Sequence, residues 1–140
     1  SAYGLAFHRH NSEIAQELNL ITKRKNFFHF TPHLTPMFRG ILSTIYLDLK
    51  RKITINKVIN VLKKNYKKCP FIEISKINTF LSTNDVINTN KCVISVCETK
   101  YKNKIIILCA IDNLLKGGSG QAVQNMNILF NFNEREGLNV

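Results

Sequence analysis

The sequence predicts an α+β domain built on one largely antiparallel mixed sheet with helices on one face. Three observations lead there. Residues 40–51, GILSTIYLDLKR, alternate strictly, and residues 91–99 and 104–112 are apolar strand-like runs joined by the short polar stretch Lys100-Tyr101-Lys102-Asn103. Helical periodicity surfaces in three other places, without the regular strand–helix alternation of a parallel sheet. At 140 residues and 44% apolar, the chain can bury one core, so a single domain over 1–140 is expected.

Taken in order, residues 11–20 open with a capping pattern. Asn11 or Ser12 can cap, Glu13 adds negative charge to the first turn, and Ile14, Ala15 and Leu18 make one apolar face. Residues 22–26 are a basic turn, and residues 27–30, FFHF, are aromatic and read as a strand. Pro32 and Pro36 exclude a helix through the loop that follows. In 40–51, Ile41, Ser43, Ile45, Leu47 and Leu49 share one side, so a long strand with one buried face is expected. The period then changes: Val58, Val61, Leu62 and Asn65 recur at helical spacing in 54–66, with lysines opposite and Thr54 as N-cap. Pro70 closes that unit, and residues 71–75 form a short strand. Residues 76–90 are polar and Asn-rich, a surface loop with a turn near 83–85. After the two paired strands comes a helix over 121–130, with Val123, Met126, Asn127 and Phe130 towards one side, and a polar tail over 131–140.

The net charge of +11 invites a nucleic-acid partner. The lysines are spread along the chain, however, and Lys, Asn and Ile are over-used together, as AT-rich codons would produce. No nucleic acid is therefore expected. No apolar run approaches the roughly 20 residues of a membrane span, and the first residues lack a signal-peptide pattern, so a cytoplasmic protein is expected. Cys69, Cys92, Cys97 and Cys109 show neither a CxxC pair nor zinc-ligand spacing, and the last three lie in strand-like runs where a free thiol acts as a small hydrophobe.

Two stretches carry chemistry. Gly117, Gly118 and Gly120 sit where a strand ends and a helix begins, a turn that can bring backbone N–H groups close to an anion and that is equally an ordinary tight turn. His8-Arg9-His10 sets two imidazoles beside a guanidinium, an acid/base group next to an anion-binding one, with the two rings sharing a side if the segment is extended. His29 and His33 lie nearby in sequence, yet no carboxylate or Cys has fitting ligand spacing, so no metal is expected.

The run Ile111-Asp112-Asn113-Leu114-Leu115-Lys116-Gly117 with Gly120-Gln121-Ala122-Val123-Gln124-Asn125-Met126-Asn127 resembles the C-terminal motif of N-acetyl-gamma-glutamyl-phosphate reductases, enzymes of arginine biosynthesis related to aspartate-semialdehyde dehydrogenase. His8-Arg9-His10-Asn11-Ser12-Glu13-Ile14 resembles that family's H-R-H-x-P-E-I, with Ser12 in place of Pro, which also suits a helix start. Residues 30–42, FTPHLTPMFRGIL, resemble its F-T-P-H-L-x-P-x-x-R-G-I-L, and Tyr3-Gly4 matches a Tyr-Gly ahead of the His motif.

The resemblance implies a semialdehyde-dehydrogenase C-terminal-like domain for substrate binding and dimerisation. It implies that His8, with His10 second, is the acid/base partner of a Cys nucleophile. Arg9, Glu13 and Arg39 would position the substrate's carboxylate or phosphate or orient the histidine. Asn113, Lys116, Gly117 and Gly118 would approach the nicotinamide or phosphates of NADP (NADPH). The implied reaction is NADPH-dependent reduction of N-acetyl-glutamyl 5-phosphate to the 5-semialdehyde with release of phosphate, in a homo-oligomer, dimer or tetramer. The family's Gly-Cys-Tyr-Pro-Thr nucleophile motif and its G-x-x-G-x-x-G Rossmann domain are not in this sequence. The chain is thus expected to be the C-terminal part of such an enzyme and inactive alone, with the helix in 113–130 packing onto an N-terminal Rossmann domain that this sequence lacks. A non-catalytic dimerisation module would instead have no cofactor affinity, and a nucleic-acid-binding domain would show steeply salt-dependent binding.

Overall fold

Runs rich in Ile and Val become strands, and their pairing fixes where the remaining elements lie. The computed structural model describes every residue except Ala6 and separates into two compact units, Ser1–Met37 and Phe38–Val140. In the larger unit β1 (Ile41–Asp48), β2 (Ile72–Ile74), β3 (Cys92–Glu98) and β4 (Lys104–Ile111) form one sheet in the order β1-β4-β3-β2. β4 pairs antiparallel with both β1 and β3, and short β2 runs parallel to β3. The expected α+β class with a largely antiparallel mixed sheet is the one found.

Alternation along β3 and β4 puts Val96, Ile105 and Ile107 on one face and Val93, Leu108 and Ala110 on the other. On the first face lies α2 (Ile55–Tyr66), capped by Thr54, whose Oγ1 accepts the Lys57 N–H at 3.3 Å. Ile55, Val58, Ile59 and Leu62 pack against Val96, Ile105 and Ile107. This is the i, i+3, i+4, i+7 stripe. Val61 and Asn65, expected on it, are exposed because they fall on its flank. On the second face the loop 76–90 does more than cross the surface. Leu81 and Val86 are buried against Val93 and Ala110, on either side of a 3₁₀ turn, Thr83–Asp85, closed by a Ser82–Asp85 capping box.

β1 departs from expectation. It is an edge strand beyond the cover that α2 gives to β3 and β4, and only Ser43 is even half-buried. Ile41, Ile45 and Leu47 are exposed on one side and Leu42 and Tyr46 on the other. α3 (Ser119–Leu129) is also turned from the expected orientation. Its buried residues are Gly120, Gln124 and Asn127, while Met126, Ile128, Leu129 and the following Phe130 are exposed. The tail causes this by folding back over the polar side. Asn127 Nδ2 donates to the Glu134 and Glu136 carbonyls at 3.3 and 2.9 Å, and Gln124 Nε2 donates to Glu134 Oε1 at 2.8 Å.

In the smaller unit, α1 (Arg9–Thr22) starts before Asn11, so neither Asn11 nor Ser12 caps it. Ser12 Oγ instead donates back to the Arg9 carbonyl at 2.8 Å. At the other end Lys23 takes a left-handed φ of 54°, and Asn26 Nδ2 donates to the Leu18 carbonyl at 3.1 Å. Ile14, Ala15 and Leu18 are half-buried, as their spacing implies. Residues 27–30 form no strand. Among the unit's described residues the strand-like pairing is one bridge between Ala2 and His33, and β-prone residues without a partner strand stay irregular. Among the unit's described residues none is fully buried.

Candidate active-site surfaces

In the smaller unit, His8 is the N-cap of α1. Its Nδ1 accepts the His10 backbone N–H at 3.3 Å. An accepting Nδ1 carries no proton, so the neutral ring holds its proton on Nε2. Arg9 and His10 are helical rather than extended, yet the two rings still meet, with centroids 4.8 Å apart at 67°. Tyr3 and Phe30 pack edge-on against His8 at 5.4 and 5.5 Å. Gly4 sits directly beneath it at φ 58°, and a Cβ there would come within 3.1 Å of His8 Cδ2. The His8 N–H is held by the Gly4 carbonyl at 2.9 Å. His10 is exposed, its Nε2 3.9 Å from Glu13 Oε2, and Arg9 is exposed and outside the ion pairs found among the described residues. An open groove of about 480 Å³ in this unit is lined in part by Asn11, His29 and the same Phe30 that packs on His8.

The larger unit holds the second group. Asp112 is fully buried where β4 ends and gathers four donors. Its Oδ2 takes Arg39 Nη2 at 2.6 Å and the Asn88 N–H at 2.8 Å, and its Oδ1 takes the Leu114 and Leu115 N–H groups at 2.9 and 3.2 Å. Burial pushes its pKa up, but Arg39 and the three backbone donors outweigh this and hold the carboxyl below its ordinary range. Arg39 is therefore engaged, with Nη1 on Asn88 Oδ1 at 3.2 Å and a buried Nε that has no partner. Asn113 Oδ1 accepts the Gly40 N–H at 2.6 Å, which leaves its amide nitrogen as a donor at the half-buried surface.

The glycine turn is closed on itself. The N–H groups of Gly117, Gly118 and Ser119 donate to the carbonyls of Asp112, Leu115 and Leu114 at 3.0, 3.0 and 2.9 Å. A Cβ on Gly117 would lie 2.9 Å from the Asn113 carbonyl oxygen and one on Gly118 2.8 Å from that of Leu114. The glycines are there to let the chain pass its own backbone. The turn does not fit a cradle for phosphate, because its donors are spent. It does fit a side-chain-free surface that offers one amide donor to a flat, uncharged ring. Lys116 likewise faces inward, its Nζ on Gln124 Oε1 at 2.7 Å and 5.5 Å above the Phe71 ring, and burial lowers its pKa.

Residues 1–113 match the model of the semialdehyde dehydrogenase dimerisation domain. The chain belongs to that family. Among curated proteins it is 45% identical over 139 residues to the N-acetyl-gamma-glutamyl-phosphate reductase of Thermoanaerobacter pseudethanolicus, 42% identical over 139 residues to that of Staphylococcus aureus and 44% identical over 138 residues to that of Clostridium kluyveri. Each match covers 99% of this chain and 40% of the relative. The chain thus spans about 40% of the length of these relatives.

The family match takes in His8, Arg9, His10, Glu13, Arg39 and Asn113, while Lys116, Gly117 and Gly118 lie just past it within the reach of the reductase relatives. The expected residues fall into two sets, one in each compact unit. Among the described residues, no group of three or more His, Cys, Asp or Glu side chains could hold a metal, and no helix is long and apolar enough to cross a membrane. Sequence reasoning missed Asp112 as the centre of its turn. An Asp two and three residues before N–H groups that need an acceptor is the local signal that could have found it. It also passed over Cys92 and Cys109, whose sulfurs lie 3.4 Å apart, a meeting that only the hairpin register reveals.

Proposed function

We propose that this chain is the C-terminal, substrate-binding and dimerisation part of an N-acetyl-gamma-glutamyl-phosphate reductase. The observation that carries the proposal is the setting of His8: half-buried, gripped by Tyr3, Gly4 and Phe30, and fixed with its proton on Nε2. Such a ring is an oriented proton donor. It offers its Nε2–H hydrogen bond to the oxygen that gathers negative charge as the acyl carbon is reduced, and stabilises that charge without becoming an imidazolate. His10 backs it from the first turn of α1, with the Glu13 carboxylate 3.9 Å away. Arg9, exposed beside the pair, binds the substrate's carboxylate or phosphate. Arg39 acts at one remove, as a positioning residue that holds Asp112 and through it the 112–118 turn.

Bound NADPH would supply hydride. On this chain Asn113 Nδ2 and the bare Gly117–Gly118 surface would flank its nicotinamide, and the phosphates would be held by the nucleotide-binding part of the enzyme. The exposed apolar residues Met126, Leu129 and Phe130, at i, i+3 and i+4 along one side of α3, support that division, since an exposed row of this kind needs a partner surface. The exposed β1 supports a homodimer. The enzyme so described is cytoplasmic, and the 140 residues alone are inactive because the Cys nucleophile and the nucleotide-binding fold must come from outside them.

The test is turnover by the complete reading frame carrying this chain, followed as phosphate-dependent reduction of NADP with N-acetyl-glutamate semialdehyde. Replacing His8 by Gln should lower kcat roughly 100- to 10,000-fold with KM little changed, and replacing His10 should cost less. A His8→Gln enzyme with undiminished kcat would refute the assignment.

A further inference from the structure

We propose that Cys92 and Cys109 form an oxidisable dithiol that closes to an intrachain disulfide when a small peroxide reaches Cys92. The hairpin register makes this a built pair. Cys92 lies opposite Ile111 and Cys109 opposite Ile94, so the two thiols are diagonal neighbours on one face of β3 and β4. Their sulfurs are 3.4 Å apart. A disulfide is ~2.05 Å long, so closure must bring the sulfurs together by ~1.35 Å, and on the ~7 Å spacing of a diagonal pair a small approach of the two strands goes with it. Both residues are half-buried, so neither is closed off from solvent. Cys97, by contrast, is buried on the opposite face beside Ser95 Oγ, and Cys69 is exposed in the loop after α2.

The surroundings divide the roles. Either sulfur can donate in this contact, so the charge of Lys116 is what distinguishes the two thiols: it favours the thiolate at Cys92 and, with the Cys109 contact, holds that thiol below its usual pKa against burial. The same contact and burial push the Cys109 thiol far up. Cys92 is the attacking sulfur and Cys109 the resolving one. The Cys92 thiolate attacks one peroxide oxygen and the O–O bond breaks, giving a sulfenic acid and hydroxide. The Cys109 sulfur then attacks the Cys92 sulfur, the S–S bond forms and the S–O bond breaks. The hydroxyl leaves as water with the Cys109 proton. Two thiols lose two electrons and the peroxide is reduced to two waters. Closure ties β3 to β4 just before the strand enters the 112–118 turn. The chemistry does not depend on the reductase reading.

The experiment treats the protein with dilute hydrogen peroxide, digests it without reductant and maps linked peptides by mass spectrometry. The expected result is a Cys92–Cys109 linkage, two hydrogens lighter than the free thiols, that dithiothreitol reverses. Cys92→Ser and Cys109→Ser should each lose it, Cys69→Ser should keep it, and Lys116→Met should slow its formation at least ~3-fold. Connectivity in the unaltered protein decides the matter whether or not the variants fold. Oxidation confined to Cys69, or Cys92 stopping at a sulfenic or sulfinic acid with Cys109 still free, would overturn the proposal. An unchanged rate in Lys116→Met would remove the role given to the lysine.

Discussion

Asp112 organises more of this chain than any histidine does. One carboxylate satisfies a guanidinium and three backbone N–H groups from two segments, and it does so fully buried. Removing one member of a buried pair leaves the other charge stranded, which costs about 3–5 kcal/mol. Asp112→Ala should therefore destabilise the larger unit by about that amount in urea unfolding. Because the folded-state pKa lies below the unfolded value of about 3.9, the pair's contribution is complete above that value and is lost as pH falls through the lower folded one. The wild-type midpoint should fall steeply below about pH 4, and that drop should be smaller in Asp112→Ala. His8 illustrates the opposite case, where the string offers the candidate side chain and not its setting. The HRH string named the side chain, but the cap that fixes its tautomer depends on a helix starting at Arg9, ahead of the cap-forming residues Asn11 and Ser12.

At the scale of elements, period was a good guide wherever neighbours agreed with it. Thr54 as a cap, the apolar runs that became β3 and β4, and the loop between them came out as their residues implied. It failed where a partner decides. The 27–30 aromatics had no strand to pair with, and α3 buries its polar side because the tail covers Gln124 and Asn127. No periodicity can foresee that, since the tail's own carbonyls are the acceptors. Gly120 gives a sharp test of this packing. A Cβ there would lie 2.4 Å from Asn90 Oδ1 and 2.9 Å from the Leu115 carbonyl oxygen. The Asn90 side chain is held by Gln124 Oε1 at 2.8 Å and cannot easily withdraw. Gly120→Ala should cost about 1–3 kcal/mol, seen as a lowered thermal midpoint, even though alanine is the better helix former.

For the whole molecule, β1 and the outer row of α3 leave a large apolar surface, with Tyr46 76% exposed. Surfaces of that kind mark interaction sites, and in the proposed dimer this one is the subunit contact. Placing charges at Ile45 and Tyr46 (Ile45→Lys with Tyr46→Glu) should convert a dimer to a monomer in sedimentation velocity, while shifting the stability of the isolated monomer by no more than about 0.5 kcal/mol, as at other exposed positions. A variant that remained dimeric would place the subunit contact elsewhere. None of this could be read from the strand's alternation, which looks the same whether the second layer is a helix of the same chain or the surface of another copy.

The strand order has a consequence for biogenesis. β1 has no partner until β4 exists, and 56 residues separate Asp48 from Lys104, its opposite number. At roughly 5–20 residues per second of synthesis, an apolar, unpaired strand waits roughly 3–11 s beside the ribosome. The β3–β4 hairpin can close locally in microseconds, so it forms the template on which β1 lands last. A slow translation site within α2 would lengthen that wait, and soluble yield should fall accordingly.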